Sequence, residues 1–147
     1  MTFNANGIRS AARKGFFDWL ATEQSGVDVI CIQETKAQLD QLDSNVFHPQ
    51  GYYCYYFDAQ KKGYSGVAVY SRIKPQGVHY GLNCELSTVE GRYLQLDFEH
   101  ISIASLYMPS GSSGDVRQQC KFDFLSAFYP FLQQQALDES RQMIVCA

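Results

Sequence analysis

One stretch limits the fold more than any other: Val27-Asp28-Val29-Ile30-Cys31-Ile32, a β-branched run followed at once by polar residues. A short apolar run with little alternation is the pattern of a strand covered on both faces. Upstream, Met1-Thr2-Phe3-Asn4 reads as the tail of a strand that turns at Asn6-Gly7. Residues 10–24, SAARKGFFDWLATEQ, then place Phe16, Phe17, Trp19 and Leu20 on a helical face, and Gly26 ends that helix. Strand, helix and strand within about 33 residues predict parallel strands joined by a right-handed crossover.

After residue 48 the pattern changes. YYCYYF, GVAVYSR, RYLQLDF and ISIASLY are strand-like runs separated by Gly, Pro and polar turns. Asp115 to Leu137 is a second helix, with Phe122, Leu125, Phe128 and Leu132 spaced three or four apart. Pro130 is expected to kink it or end it early. Met143-Ile144-Val145-Cys146-Ala147 is another buried-strand run, and the sequence stops inside it. The fold class read from this order is α/β with mixed strands in packed layers. Domain ends are usually exposed and polar, so this ending predicts a partial domain.

A hydrophobic content of 46% and an aromatic content of 14% over 147 residues exclude a disordered chain and allow a sizeable core. The net charge of −3 gives no general attraction to nucleic acid. It is unevenly spread, with +1 on residues 1–74 and −4 on residues 75–147. Arg9, Arg13 and Lys14 form one basic group, Lys61 and Lys62 another. The five Cys are odd in number and include no C-x-x-C, which argues against a zinc site or disulfide framework and for a reducing cytoplasm. No signal peptide or membrane-spanning stretch is visible.

In α/β sheets ligands gather where strands end. Asn4, Glu34 and Tyr107 each follow a strand-like run. Glu34 offers the carboxylate oxygen with which a Mg²⁺ site begins, and equally reads as a surface or capping Glu. Asn4 offers an amide oxygen to a metal or an NH₂ to a phosphate, and equally reads as the start of a turn. Tyr107 is a hydrogen-bond donor to a phosphoryl oxygen, a base if its pKa falls, or a core tyrosine. His48, His79 and His100 match no motif, and GSSG at 111–114 lacks the Lys and spacing of a phosphate-binding loop.

Order and wording add what single residues do not. FNANGIR (3–9), ICIQETK (30–36), GYSGVAVYSR (63–72), EGRYLQLDF (90–98) and LYMPSG (106–111) occur in that sequence. Together they resemble the exonuclease III family of abasic-site endonucleases, in the DNase I-like superfamily, over essentially the whole chain. The resemblance implies a four-layer α/β sandwich and Mg²⁺- or Mn²⁺-dependent cleavage of DNA 5′ to abasic sites, with 3′-to-5′ exonuclease action on duplex DNA. By motif match Glu34 is the metal ligand with Asn4 beside it, and Tyr107 is the active-site tyrosine. Asn6, Arg9, Lys36 and Tyr64 fall on the DNA-facing side, with Lys36 also able to pair with Glu34. The implied partner is double-stranded DNA, the implied setting a bacterial-type cytoplasm, and the implied full-length protein a monomer away from membranes.

The family continues past the VIVC strand with Gly-Asp-aromatic-Asn and, later, with an Asp-His pair that supports the attack. Ala147 stands where that Gly falls, so residues 1–147 are expected to be one incomplete half of the domain, catalytically silent, with a sheet face left bare. Two other classes stay open: a non-catalytic DNA-binding module, and a phosphatase or lipid phosphodiesterase of the same superfamily.

Overall fold

Alternation along two fully buried strands explains the layering. A computed structural model describes residues 1–22, 26–111 and 114–147. In chain order the elements are β1 (Thr2–Asn4), α1 (Ile8–Arg13), α2 (Phe16–Thr22), β2 (Val29–Gln33), β3 (Tyr53–Phe57), β4 (Val67–Ser71), β5 (Gly77–Tyr80), α3 (Glu85–Val89), β6 (Tyr93–Asp97), β7 (Ile101–Leu106), α4 (Asp115–Ala136) and β8 (Gln142–Cys146). Every residue of β4 and β6 is buried, as strands with a sheet on one side and helices on the other must be.

Two four-stranded sheets result, in the orders β1-β2-β4-β3 and β5-β6-β7-β8. Each holds one parallel pair, β1/β2 and β7/β8, and the other neighbours are antiparallel. The parallel pairs need long crossovers, which α1–α2 and α4 supply. Cys31, Val67 and Val69 of the first sheet meet Leu94, Leu96 and Phe98 of the second across the middle. The outer face of the first sheet packs Ile30, Ile32, Ala68 and Tyr70 under Ile8, Phe16, Phe17 and Leu20. The outer face of the second packs Tyr93, Ala104 and Leu106 under Phe124 and Phe128 of α4. This is the four-layer sandwich that the sequence implied.

Several local expectations are revised. The single helix over residues 10–24 is two short helices, broken where Gly15 takes φ +87°; residues 23–25 lie outside the described residues. Pro130 does not end α4, which runs on to Ala136. Pro130 is on the exposed side, so water can serve the carbonyl its missing N–H leaves unpaired. β5 and α3 escaped the sequence reading because neither carries a periodic apolar pattern. The bare sheet face is absent too: the inner faces of the two sheets cover one another. No described helix is long and apolar enough to cross a membrane.

One carboxylate ties the second sheet together. Asp97 Oδ1 accepts from Gln95 Nε2 (2.7 Å) and Ser102 Oγ (2.6 Å), and Oδ2 lies 2.7 Å from His79 Nε2 and 3.1 Å from Arg141 Nη1. Those partners come from β5, β6, β7 and the turn before β8. Burial pushes the Asp97 carboxyl up, but the hydrogen bonds from Gln95, Ser102 and His79 and the charge of His79 outweigh it and hold it below its ordinary value. An acid depressed by folding stabilises above its unfolded pKa and loses that contribution as pH falls through the folded one. Asp97→Ala is therefore expected to cost about 3 kcal/mol in urea unfolding at neutral pH. The wild-type advantage should be largest above about pH 4 and shrink on further acidification; an advantage independent of pH counts against the carboxylate.

Candidate active site

The site is built from backbone that ordinary side chains avoid. Among the described residues four non-glycine positions have positive φ: Asn6 (43°), Glu34 (54°), Lys36 (48°) and Ser65 (47°). All four lie at one end of the sandwich, on the turns after β1 and β2 and before β4. Such conformations cost energy and persist where the surroundings enforce them. Here the enforcement is a main-chain ladder. Gly7 N donates to Glu34 O (2.8 Å) and Ile8 N to Thr35 O (2.9 Å) on one side. On the other, Thr35 N donates to Gly66 O (3.0 Å) and Lys36 N to Ser65 O (2.8 Å). The QETK segment is thus clamped between the NGI and YSG segments.

Close approach explains two glycines of the quoted strings. A Cβ on Gly66 (φ +84°) would lie 2.2 Å from Thr35 Oγ1, and one on Gly91 (φ +56°) 2.6 Å from the Asp58 main chain. Ser65 Oγ is, among the described residues, the one buried side-chain polar atom without a hydrogen-bond partner. Local dissatisfaction of that kind, beside strained backbone, marks a place shaped for something other than stability.

The polar side chains converge as follows. Asn4 Nδ2 donates to Glu34 Oε1 (3.0 Å), and Asn4 Oδ1 accepts from Asn6 N (3.0 Å). Lys36 Nζ lies 2.8 Å from Glu34 Oε2 and donates to Asn6 Oδ1 at 2.6 Å. Tyr107, arriving from the other sheet, hydrogen-bonds Glu34. Partial burial raises the Glu34 carboxyl, but hydrogen bonds from Lys36, Asn4 and Tyr107 and the lysine charge win and keep it low, so Glu34 is an anion at neutral pH. Burial, the hydrogen bond to Glu34 and the Glu34 charge push the Tyr107 phenol up to about 12, against the opposing charge of Arg92. Of the roles open to Tyr107 in the sequence, this environment favours the donor over the base.

The oxygen donors Glu34 and Asn4 suit a hard cation that keeps most of its waters. They do not suit zinc, since no group of three or more His, Cys, Asp or Glu gathers among the described residues. A cation at Glu34 would compete with the Lys36 ammonium. Beside this cluster Arg9 and Arg13 of α1 join Gly7, Ser10, Lys36 and Gly63 around a pocket of about 340 Å³. A second cleft, about 310 Å³, runs from Asn4 and Gln33 to Tyr107 and Met108. His48, His79 and His100 stand elsewhere: on the Leu42 carbonyl, on Asp97, and at the surface 3.7 Å from Glu99. Of GSSG, Ser112 and Ser113 lie outside the described residues.

Sequence reasoning missed Arg92 and Arg117. Arg92 is 1% exposed, yet charged. Its Nε donates to Glu90 Oε2 (2.6 Å), Nη1 to the Tyr107 carbonyl (2.8 Å) and Nη2 to the Tyr64 hydroxyl (2.9 Å). Arg117, on α4, reaches Glu90 and the same Tyr64 hydroxyl. The signal was present: an Arg opening the strand run RYLQLDF, where burial is expected, calls for partners.

Comparison with known proteins places the chain in a family. Residues 1–132 match the Endonuclease/Exonuclease/phosphatase family, and the chain belongs to that family. It is 35% identical over 147 residues to an exodeoxyribonuclease of Bacillus subtilis, covering 99% of this chain and 56% of the relative. It is 30% identical over 149 residues to the DNA repair nuclease APEX1 of Danio rerio, covering 99% and 46%. Among solved structures, an AP endonuclease from Archaeoglobus fulgidus superposes with a TM-score of 0.76 at 31% identity, over 90% of this chain and 50% of that one. A 3′-5′ exonuclease from Neisseria meningitidis reaches a TM-score of 0.81 over 98% of this chain and 55% of that one; at 21% identity it shows the fold alone. The chain spans about half the length of these two curated relatives.

The clamp around QETK can be tested at Gly66. Gly66→Ala forces a Cβ into Thr35 in a left-handed conformation, and is expected to cost at least about 2 kcal/mol in urea unfolding. An unchanged midpoint would mean that the two segments are not pressed together.

Proposed function

We propose that this member of the Endonuclease/Exonuclease/phosphatase family carries the metal- and phosphate-binding side of a DNA-repair nuclease. The proposed reaction is hydrolysis of DNA phosphodiesters 5′ to abasic sites, with 3′-to-5′ trimming of duplex ends, supported by Mg²⁺ or Mn²⁺. The observation that carries the reading is the convergence of Glu34, Asn4, Lys36 and Tyr107, from two sheets, on strained and clamped backbone. The names of the relatives support the substrate, and the free cysteines suit a reducing cytoplasm.

Phosphodiester hydrolysis needs an activated water, a stabilised phosphorane and a neutralised leaving oxygen. Glu34, with Asn4 beside it, would hold the metal, which when bound supplies charge neutralisation at the phosphate and the leaving 3′ oxygen. Lys36 keeps Glu34 ionised and adds a positive charge beside the phosphate. Asn4 orients the carboxylate through its amide N–H. Tyr107, protonated at neutral pH, donates a hydrogen bond to a phosphoryl oxygen as negative charge grows there. Arg9 and Lys36 border the neighbouring pocket, and with Asn6 and Tyr64 they would take the DNA backbone. No group among these is set up to deprotonate water, since Tyr107 holds its proton and no histidine is near. Complete turnover is therefore proposed for a protein of the relatives' length, of which this chain supplies one side of the cleft.

Metal binding, nicking and turnover test this. The 147-residue chain is expected to bind Mn²⁺, followed by the loss of free-ion signal in electron paramagnetic resonance, yet to leave abasic duplex DNA unnicked. Glu34→Gln should weaken Mn²⁺ at least about tenfold, because a neutral amide is a poor ligand for a hard cation; an unaltered titration removes Glu34 from the metal. In a protein of the relatives' length, Tyr107→Phe should cost about 3 kcal/mol of transition-state stabilisation, roughly two to three decades in turnover, with DNA affinity nearly unchanged. Lost affinity with normal turnover on bound DNA would make Tyr107 a binding residue instead.

A further inference from the structure

Arg92 spends each edge of its guanidinium on a different partner: Nε on Glu90, Nη1 on the main chain of Tyr107, Nη2 on the hydroxyl of Tyr64. Its charge also sits over both rings, 5.1 Å from the centroid of Tyr107 and 5.8 Å from that of Tyr64. Arg117 lies 5.6 Å over the Tyr64 ring and donates to the same hydroxyl. A phenolic oxygen has two acceptor sites and one proton. With guanidinium N–H groups of Arg92 and Arg117 both turned on the Tyr64 oxygen, its hydroxyl is left to act toward a ligand as a donor. No acceptor for that proton is found among the described residues, and Tyr64 is half-exposed on the loop that runs alongside Glu34–Lys36.

We infer that Arg92 is a positioning residue: it makes the Tyr64 hydroxyl an obligate hydrogen-bond donor to an anionic phosphate oxygen of DNA, in fixed register with Tyr107. The inference rests on the nuclease reading for its ligand and on Arg92's three bonds for its geometry. It explains why a charged group is fully buried here. Lysine carries its three donors on one nitrogen and lacks the planar spread by which Arg92 meets Glu90, Tyr107 and Tyr64 from three separate nitrogens. Arg92 itself never meets the DNA, because it is 1% exposed.

The test is a double-mutant cycle on the 147-residue chain, read by fluorescence anisotropy with a short abasic duplex at several salt concentrations. Tyr64→Phe is expected to weaken binding about tenfold, the loss of one hydrogen bond to a charged group, with no change in salt dependence because no charge is removed. Arg92→Lys should weaken it by a similar factor, and the double variant should fall no further than either alone. Without DNA, tyrosine ¹³Cζ resonances should move at Tyr64 and Tyr107 in Arg92→Lys, while those of Tyr56 and Tyr70, in the other layer, stay in place. If Arg92→Lys does not fold, Arg117→Gln, at a partly exposed helix position, replaces it in the cycle with Tyr64→Phe, and the same non-additivity is expected. Additive losses, or Tyr64 and Tyr107 resonances that ignore the substitution, overturn the assignment of Arg92. A wild-type chain with no affinity for duplex DNA overturns the nuclease reading and, with it, the phosphate acceptor.

Discussion

The cleft depends on a polar stitch between the two sheets. Gln33 Nε2 donates to Ser105 Oγ at 3.0 Å, Ser105 Oγ donates to the Ile32 carbonyl at 3.0 Å, and Gln33 also reaches the Cys146 carbonyl at 3.3 Å. Behind it the sheets meet through an apolar cluster, which fixes a spacing but leaves sliding cheap. A buried amide with directional partners does not allow sliding, since a shift leaves its N–H or C=O unpaired in a dry interior. Glu34 follows Gln33 directly, and Tyr107 comes just after Ser105. The stitch therefore sets where a carboxylate from one sheet meets a phenol from the other.

Beside that stitch, charge is arranged so that Glu34 and Tyr107 are each held in one protonation state. Glu34 is kept ionised by Lys36, Asn4 and Tyr107, and Tyr107 is kept protonated by Glu34 and partial burial. Arg92 and Glu90 satisfy one another under the cleft floor, where either alone would be a costly buried charge. The strained turns at Asn6, Glu34, Lys36 and Ser65 are the other side of the same arrangement. They set the directions of the Asn6, Glu34 and Lys36 side chains at the expense of local backbone energy, which the buried strands behind them offset.

Much of this was legible in the sequence, for identifiable reasons. The run Val27–Ile32 announced a strand buried on both faces because apolar residues without alternation have few other uses. Asn4, Glu34 and Tyr107 were singled out because each follows a strand-like run, and strand ends are where a layered fold exposes polar groups. The split of the first helix at Gly15 was hidden, since a lone glycine in an apolar period often stays helical. The sheet partners were hidden as well: pairing of β4 between β2 and β3 is a long-range choice that no local pattern encodes. Arg92 was overlooked because its importance lies in Tyr64, Glu90 and Tyr107, residues 28, 2 and 15 positions away.

The Asp97 knot has a consequence of another kind. It sits at the far end of β6 from Arg92, five residues or roughly 17 Å of extended strand away. It gathers β5, β6, β7 and the turn before β8 without touching any group of the cleft. Substitutions at the two ends share no partners, so their free energies should add. Durability and chemistry are thus separable traits in this architecture, and lineages can drift in heat tolerance at the knot while the cleft keeps its composition.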